Sequence, residues 1–226
     1  MRFLRFALFA ASLAATTAFA SPTDPRPGAE YTVLAPSQPS QAAGKKVEVI
    51  EFFMYHCPYC HALEPVLAQW VKKQGDNIVF KRIHIPYQGP TDPETHLFLT
   101  LQAMGKAEAY QANVLDAVGA LVQRKRSETL TEQEVLDVAY KRPGIDKAKF
   151  MDAWNSFGVK TMLNRQTGIV SNNYKVDSTP TLIVDGKYVT SPGQVSQATR
   201  TRDQQQLFQE TLQVADALVA RVQKSK

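Results

Sequence analysis

Val47-Glu48-Val49-Ile50-Glu51-Phe52-Phe53-Met54-Tyr55-His56-Cys57-Pro58-Tyr59-Cys60-His61-Ala62-Leu63-Glu64-Pro65 is the stretch around which the rest of the chain is arranged. Residues 47–53 are β-branched or aromatic apart from two glutamates, which predicts a strand buried on both faces. A short turn then brings Cys57-Pro58-Tyr59-Cys60 to the head of a helical pattern marked by Leu63, Leu67, Trp70 and Val71. A helix start offers unpaired N–H groups and the positive end of the helix dipole, and both favour a thiolate over a thiol. Pro58 suits the first helical position, where its missing N–H has no intrahelical partner to lose. Cys57, nearer the helix start, is the expected nucleophile, with a pKa lowered into the range of about 3.5–7.5. Cys60 lies one turn on and is the expected resolving thiol. Pro65 is expected to kink the helix.

The first twenty residues read as a secretory leader. Arg2 and Arg5 form a basic head, residues 6–15 are apolar, and Ala18-Phe19-Ala20 makes a small-x-small cleavage site before Ser21. The apolar run is shorter than the roughly 20 residues a membrane span requires. Without residues 1–20 the formal charge of +5 falls to about +3, and no basic stripe interleaved with aromatics is present, which argues against a nucleic-acid partner. Arg124-Lys125-Arg126 reads as a solvated helix end. An exported chain with only two cysteines, three residues apart, is not using them as a staple, because so short a loop removes little unfolded-state entropy. A zinc site would need two more ligands; His56 and His61 flank the pair, but no second C-x-x-C exists, and neither metal nor cofactor is expected.

Residues 21–43, rich in Pro, Ser and Gln, are expected to form an exposed arm with one short edge strand at residues 30–34. A first core segment, 44–90, contains the strand, the helix and a second strand at 78–85, a βαβ unit whose strands should run parallel. Residues 91–174 turn helical. Asp92-Pro93 opens a first helix, Gly105 stops it, and residues 107–122 are amphipathic. Thr131 and Glu134 form a capping box. Asp146 caps a helix through Phe150, Trp154 and Phe157 to Gly158, and a further helix carries Val159, Met162 and Leu163. A second core segment, 175–226, supplies a hairpin, 181–190, whose Asp185-Gly186 suits a type I′ turn, and a last helix from about residue 200 to 222. The fold class is therefore α/β: a mixed sheet interrupted by a large helical insertion.

Val49-Ile50-Glu51-Phe52-Phe53 before Cys57-Pro58-Tyr59-Cys60, the insertion, and Ser178-Thr179-Pro180-Thr181-Leu182-Ile183-Val184-Asp185-Gly186-Lys187-Tyr188 together resemble the DsbA family of periplasmic thiol:disulfide oxidoreductases. The resemblance implies a thioredoxin fold with Thr179 joined to Pro180 by a cis peptide opposite the cysteines, where client polypeptides bind. It implies oxidation of cysteine pairs in reduced exported polypeptides, periplasmic location, a monomer, and reoxidation by a DsbB-like quinone-linked membrane protein. It also implies that Glu51 lies beneath the disulfide and moves protons, with Lys81 as expected partner and Arg82 adjacent, the register being open. A buried carboxylate should have a raised pKa.

The chain departs from the common family dipeptide, Pro-His, by having Pro58-Tyr59, which places no imidazole between the cysteines. His56 and His61 offer the alternative of an imidazolium beside the thiolate, or are simply exposed. His84 and His96 read as structural or solvated, and Met54 and Tyr55 as the rim of a groove. A less oxidising couple would suit a reductase or isomerase instead. An isomerase would be expected to carry a dimerisation domain ahead of the core, and a cytochrome-maturation reductase a membrane anchor. A polypeptide-binding chaperone that does not turn over is the reading outside redox chemistry.

Overall fold

The computed structural model describes residues 21–226; the leader expected at 1–20 falls outside the described residues. A five-stranded sheet runs in the order β1-β5-β4-β2-β3, with β1 at Thr32–Val33, β2 at Val47–Phe53, β3 at Ile78–His84, β4 at Thr181–Val184 and β5 at Tyr188–Thr190. Strand β2 is buried along its whole length, as its apolar run predicts. It pairs parallel with β3 and antiparallel with β4. Helix α1, Pro58–Gln74, makes the crossover between β2 and β3 and carries Pro65 inside it. Val47 and Val49 pack against α1 (Leu63, Leu67, Trp70) and against α8, Gln204–Ser225. Ile50 and Phe52 face the other way, onto Val170, Val176 and Ile183.

The insertion comprises α2 (Pro93–Ala103), α3 (Ala107–Lys125), α4 (Glu132–Tyr140), α5 (Lys147–Trp154) and α6 (Phe157–Gly168), the last running into a wide π-helical turn, Ile169–Tyr174. Its caps follow the sequence: the Asp92 carboxylate accepts from Thr95 N, and Thr131 with Glu134 closes a full capping box. Phe53 and Tyr55, at the end of β2, are buried in the same cluster as Phe98, Val114, Leu115 and Phe150 of the insertion. The insertion therefore covers the end of β2 from which the cysteines emerge.

One expectation is met, one is corrected, and one element was not foreseen. Residues 21–43 are mostly exposed or half-buried, and the edge strand expected at 30–34 forms within them: Tyr31 is 3% exposed, and its ring meets Tyr188 edge-on while the Arg221 guanidinium lies over it. The cause is pairing, since β1 adds to β5 and Leu34 N and Gln38 N donate to the carbonyls of Lys187 and Gly186. Phe157 does not end the helix capped by Asp146; Ser156 caps a new helix, and Phe157 stands 86% exposed in its first turn. Residues 192–199 form α7, capped by Ser191 with Pro192 at its first position, a helix too short for its periodicity to stand out.

In the hairpin, Asp185 and Gly186 both have positive φ and Lys187 N donates to Val184 O, as a type I′ turn requires. A Cβ at Gly186 would lie 2.1 Å from Gln38 O. Gly186→Ala is therefore expected to cost on the order of 1–3 kcal/mol, from the positive φ and from prising off the arm. Gly193→Ala, where a Cβ meets only Ser191 Oγ at 3.8 Å, should change stability by less than about 0.5 kcal/mol. Chemical denaturation of the two variants checks the pair; equal costs would contradict the account.

Candidate active site

Cys57 is the N-cap of α1 and Pro58 the first helical residue. Cys60 N donates to Cys57 Sγ at 3.4 Å, and Sγ lies 3.6 Å from Thr179 O on the facing loop. The Thr179-Pro180 peptide is cis. Both cysteines are free thiols, 7% and 1% exposed. The Cys57 pKa is lowered to about 6, chiefly by a hydrogen bond from the Cys60 thiol; burial opposes the shift, and Thr179 and the backbone N–H groups of Cys60 and Tyr59 add to it. Burial pushes the Cys60 thiol well up, and its hydrogen bond to Cys57 pushes it further. One sulfur is thus made acidic at the expense of the other. Tyr59 is half-exposed and turns edge-on to Phe208 of α8, bringing no charge to the sulfurs.

Glu51 is buried beneath this pair, and its partner is Arg82, not Lys81. The parallel register sets Glu51 beside Arg82 and Ile50 beside Lys81, so the two cations leave β3 on opposite faces. Arg82 Nε donates to Glu51 Oε2 at 2.7 Å and Nη2 to Glu64 Oε2 at 3.0 Å, while Nη1 reaches Glu108 of α3. Lys81 instead pairs with the buried Glu48 at 2.5 Å. Burial raises the Glu51 pKa against the pull of Arg82. Burial raises Glu64 to about 7, again against Arg82, with Glu51 and Glu108 pushing the same way.

His56 is buried, not exposed, and turned to Glu94 of α2, with Nδ1 2.9 Å from Glu94 Oε1. Burial alone would lower its pKa, but the hydrogen bond and charge of Glu94 raise it. His61 is the exposed one, 2.5 Å from Asp116. Tyr55 is fully buried, so it does not form a groove rim. His84 and His96 are buried, and His96 stacks on Trp154. Beside the cysteines an open cavity of about 430 Å³ is lined by Tyr59, Thr179, Pro180, Pro192, Gln197 and Leu207, among others.

The family described as Thioredoxin matches residues 41–204. Thiol:disulfide interchange protein DsbA of Burkholderia cepacia is 38% identical over 219 residues, covering 97% of this chain and 96% of its own length. The chain belongs to the DsbA family. The DsbA of Pseudomonas syringae is 34% identical over 94% of this chain and 91% of its own. The crystal structure of Pseudomonas aeruginosa DsbA superposes with a TM-score of 0.72 at 29% identity, over 88% of this chain and 94% of that one. The protein is accordingly a DsbA-type thiol:disulfide oxidoreductase carrying a Cys57–Cys60 pair.

Sequence reasoning passed over Glu64, Glu108 and Glu94. Glu94 was legible only as an acid in a first helical turn; its contact lies 38 residues away.

The raised Glu64 pKa carries a pH signature. Because the folded value lies above the ordinary glutamate value of 4.5, the folded protein holds a proton the unfolded chain gives up. The resulting stability is present below about pH 4.5 and lost as pH rises through about 7, a change on the order of 3 kcal/mol. Glu64→Gln should flatten the fall in unfolding free energy between pH 5 and 8. A variant keeping the full wild-type slope would contradict the assignment.

Proposed function

We propose that the protein is an exported disulfide oxidase for newly translocated polypeptides. A client thiolate attacks Cys57 Sγ of the Cys57–Cys60 disulfide, the S–S bond breaks, and Cys60 leaves and takes up a proton. A second client thiolate then attacks the client sulfur of the mixed disulfide and displaces Cys57. The client departs with one disulfide, and the protein keeps the two electrons as a dithiol. The cavity bounded by Tyr59, Thr179, Pro180 and Leu207 would seat an extended client segment beside Cys57. Glu51, held by Arg82, would exchange protons with Cys60, whose ionisation its charge opposes. Lys81 has no part in this step. Reoxidation would fall to a quinone-linked membrane protein in the periplasm, with the leader directing export.

The observation that supports the direction is the split between the thiols, with Cys57 near 6 and Cys60 well above its ordinary value. At pH 7 a thiol moved from 9.0 to about 6 favours the reduced form by about 1.4 kcal/mol, or about 30 mV for a two-electron couple. That is a modest part of the roughly 150 mV between thioredoxin and the strongest oxidants of this class. Tyr59 supplies no charge to make up the rest, and this favours a second reading as a reductase or isomerase.

Mixing oxidised protein with a reduced, unfolded two-cysteine client tests the direction. One client thiol pair should disappear per protein disulfide. Cys60→Ser, activated at Cys57 as an aryl mixed disulfide, should trap a one-cysteine version of the client covalently with release of the aryl thiol, and Cys57→Ser should do neither. If client thiols persist while the reduced protein opens mispaired disulfides, the oxidase reading fails.

A further inference from the structure

The turn that carries Cys57 out of the sheet is buried, so its backbone N–H groups need acceptors. Cys57 N finds one locally, in Met54 O at 3.2 Å. The two before it do not. Tyr55 N donates to His84 Nε2 at 3.2 Å, and His56 N donates to Glu94 Oε2 at 3.2 Å. The His84 tautomer that accepts there carries its proton on Nδ1, 2.8 Å from Thr95 Oγ1. Glu94 and Thr95 both belong to the first turn of α2, so the insertion supplies the fastening of the nucleophile's turn.

Glu94 is 1% exposed and stands at the second position of α2, after the Asp92 cap and Pro93, where the helix dipole favours a carboxylate. Its oxygens lie 2.9 and 3.0 Å from His56 Nδ1. A carboxylate so buried needs a cation, and the His56 imidazolium is within hydrogen-bond distance, nearer than His84 Nε2 at 3.5 Å. His56 adjoins Cys57 in the chain. With tyrosine between the cysteines, this places a positive charge on the residue before Cys57 instead of inside the C-x-x-C.

We propose that Glu94 is a positioning residue for Cys57: from the start of α2 it fastens both the backbone and the ring of His56, and through them sets the reactivity of the nucleophile. The inference rests on Cys57 being the attacked and attacking sulfur. The groups facing His56 are Glu94 and Asp92 at the head of α2, Glu128 in the loop after α3, and the Tyr87 ring, whose hydroxyl is itself bonded to Glu128. Burial opposes the Glu94 charge, but its hydrogen bond to His56, with the His84 ring close by, outweighs burial and lowers its pKa to about 2, so it stays ionised throughout the working range. His56 is held above its ordinary 6.5 by that charge. Removing the charge while keeping the shape lets burial win and neutralises the ring.

Glu94→Gln keeps an oxygen for His56 N and loses the charge; Glu94→Asp keeps the charge and shortens the reach. The thiolate midpoint of Cys57, read by absorbance at 240 nm, should rise above its value of about 6 in the Gln variant and move less in the Asp variant. Iodoacetamide labelling of Cys57 at pH 5.5 should slow about three- to tenfold in Glu94→Gln. The His56 Hε1 proton resonance should titrate above 6.5 in the wild type and below it in Glu94→Gln. A purely structural fastening predicts the reverse order, Asp worse than Gln. That order, or wild-type midpoint and labelling in folded Glu94→Gln, overturns the proposal. Should Glu94→Gln not fold, a wild-type His56 that titrates below 6.5 overturns it equally. Failure of the nucleophile assignment would look different, as labelling of wild-type protein at Cys60.

Discussion

An ionised sulfur has to exist where there is almost no water. Cys57 is 7% exposed, and desolvation by itself would push its pKa up. The structure answers by pointing donors at one atom, from the Cys60 thiol and from the N–H groups at the head of α1. That arrangement needs a strand to end and a helix to begin within four residues, which β2 and α1 do because an apolar β-branched run is cut off by Cys57-Pro58. It also needs the Thr179 loop, 122 residues from Cys57 in the chain, brought against the sulfur, and β4 does this by pairing with β2.

Two buried polar networks flank the cysteines, and the insertion contributes to each. Below, Arg82 faces three carboxylates, from β2, α1 and α3. One cation cannot neutralise three anions, and the consequence is visible in Glu51 and Glu64, both pushed toward the protonated form by burial that Arg82 only partly offsets. Behind the cysteine turn, Glu94 is matched by His56 and stays charged. The helical insertion is thus part of the electrostatics of the site. The sheet and α1 carry the sulfurs, while α2 and α3 bring Glu94 and Glu108 to the two networks beside them.

Much of this was legible in the sequence because local rules decided it. β2, the parallel β3, the head of α1, the capping box at Thr131 and the Asp185-Gly186 turn are each fixed by residues within a few positions of one another. What was not legible depends on pairing over distance. Lys81 and Arg82 are equivalent cations on one strand, and only the register of β2 against β3 puts Arg82 on the Glu51 face. The arm looked solvated by composition, yet backbone hydrogen bonds to the hairpin hold it, and these leave no compositional trace. His56 read equally as an exposed turn residue or as an imidazolium beside the thiolate, until α2 closed over it. Glu94 has no motif at all, since its role comes from where the insertion docks.

The most direct measurement is the reduction potential of the Cys57–Cys60 pair against glutathione, followed across pH 5 to 8. The account predicts a value at pH 7 more oxidising than about −180 mV, the level of protein disulfide isomerase. It also predicts a slope that halves, from about 59 to about 30 mV per pH unit, as pH rises through the Cys57 midpoint near 6. A potential more reducing than about −180 mV would contradict the oxidase direction, and a slope that stays at about 59 mV throughout would mean that Cys57 is not a stabilised thiolate.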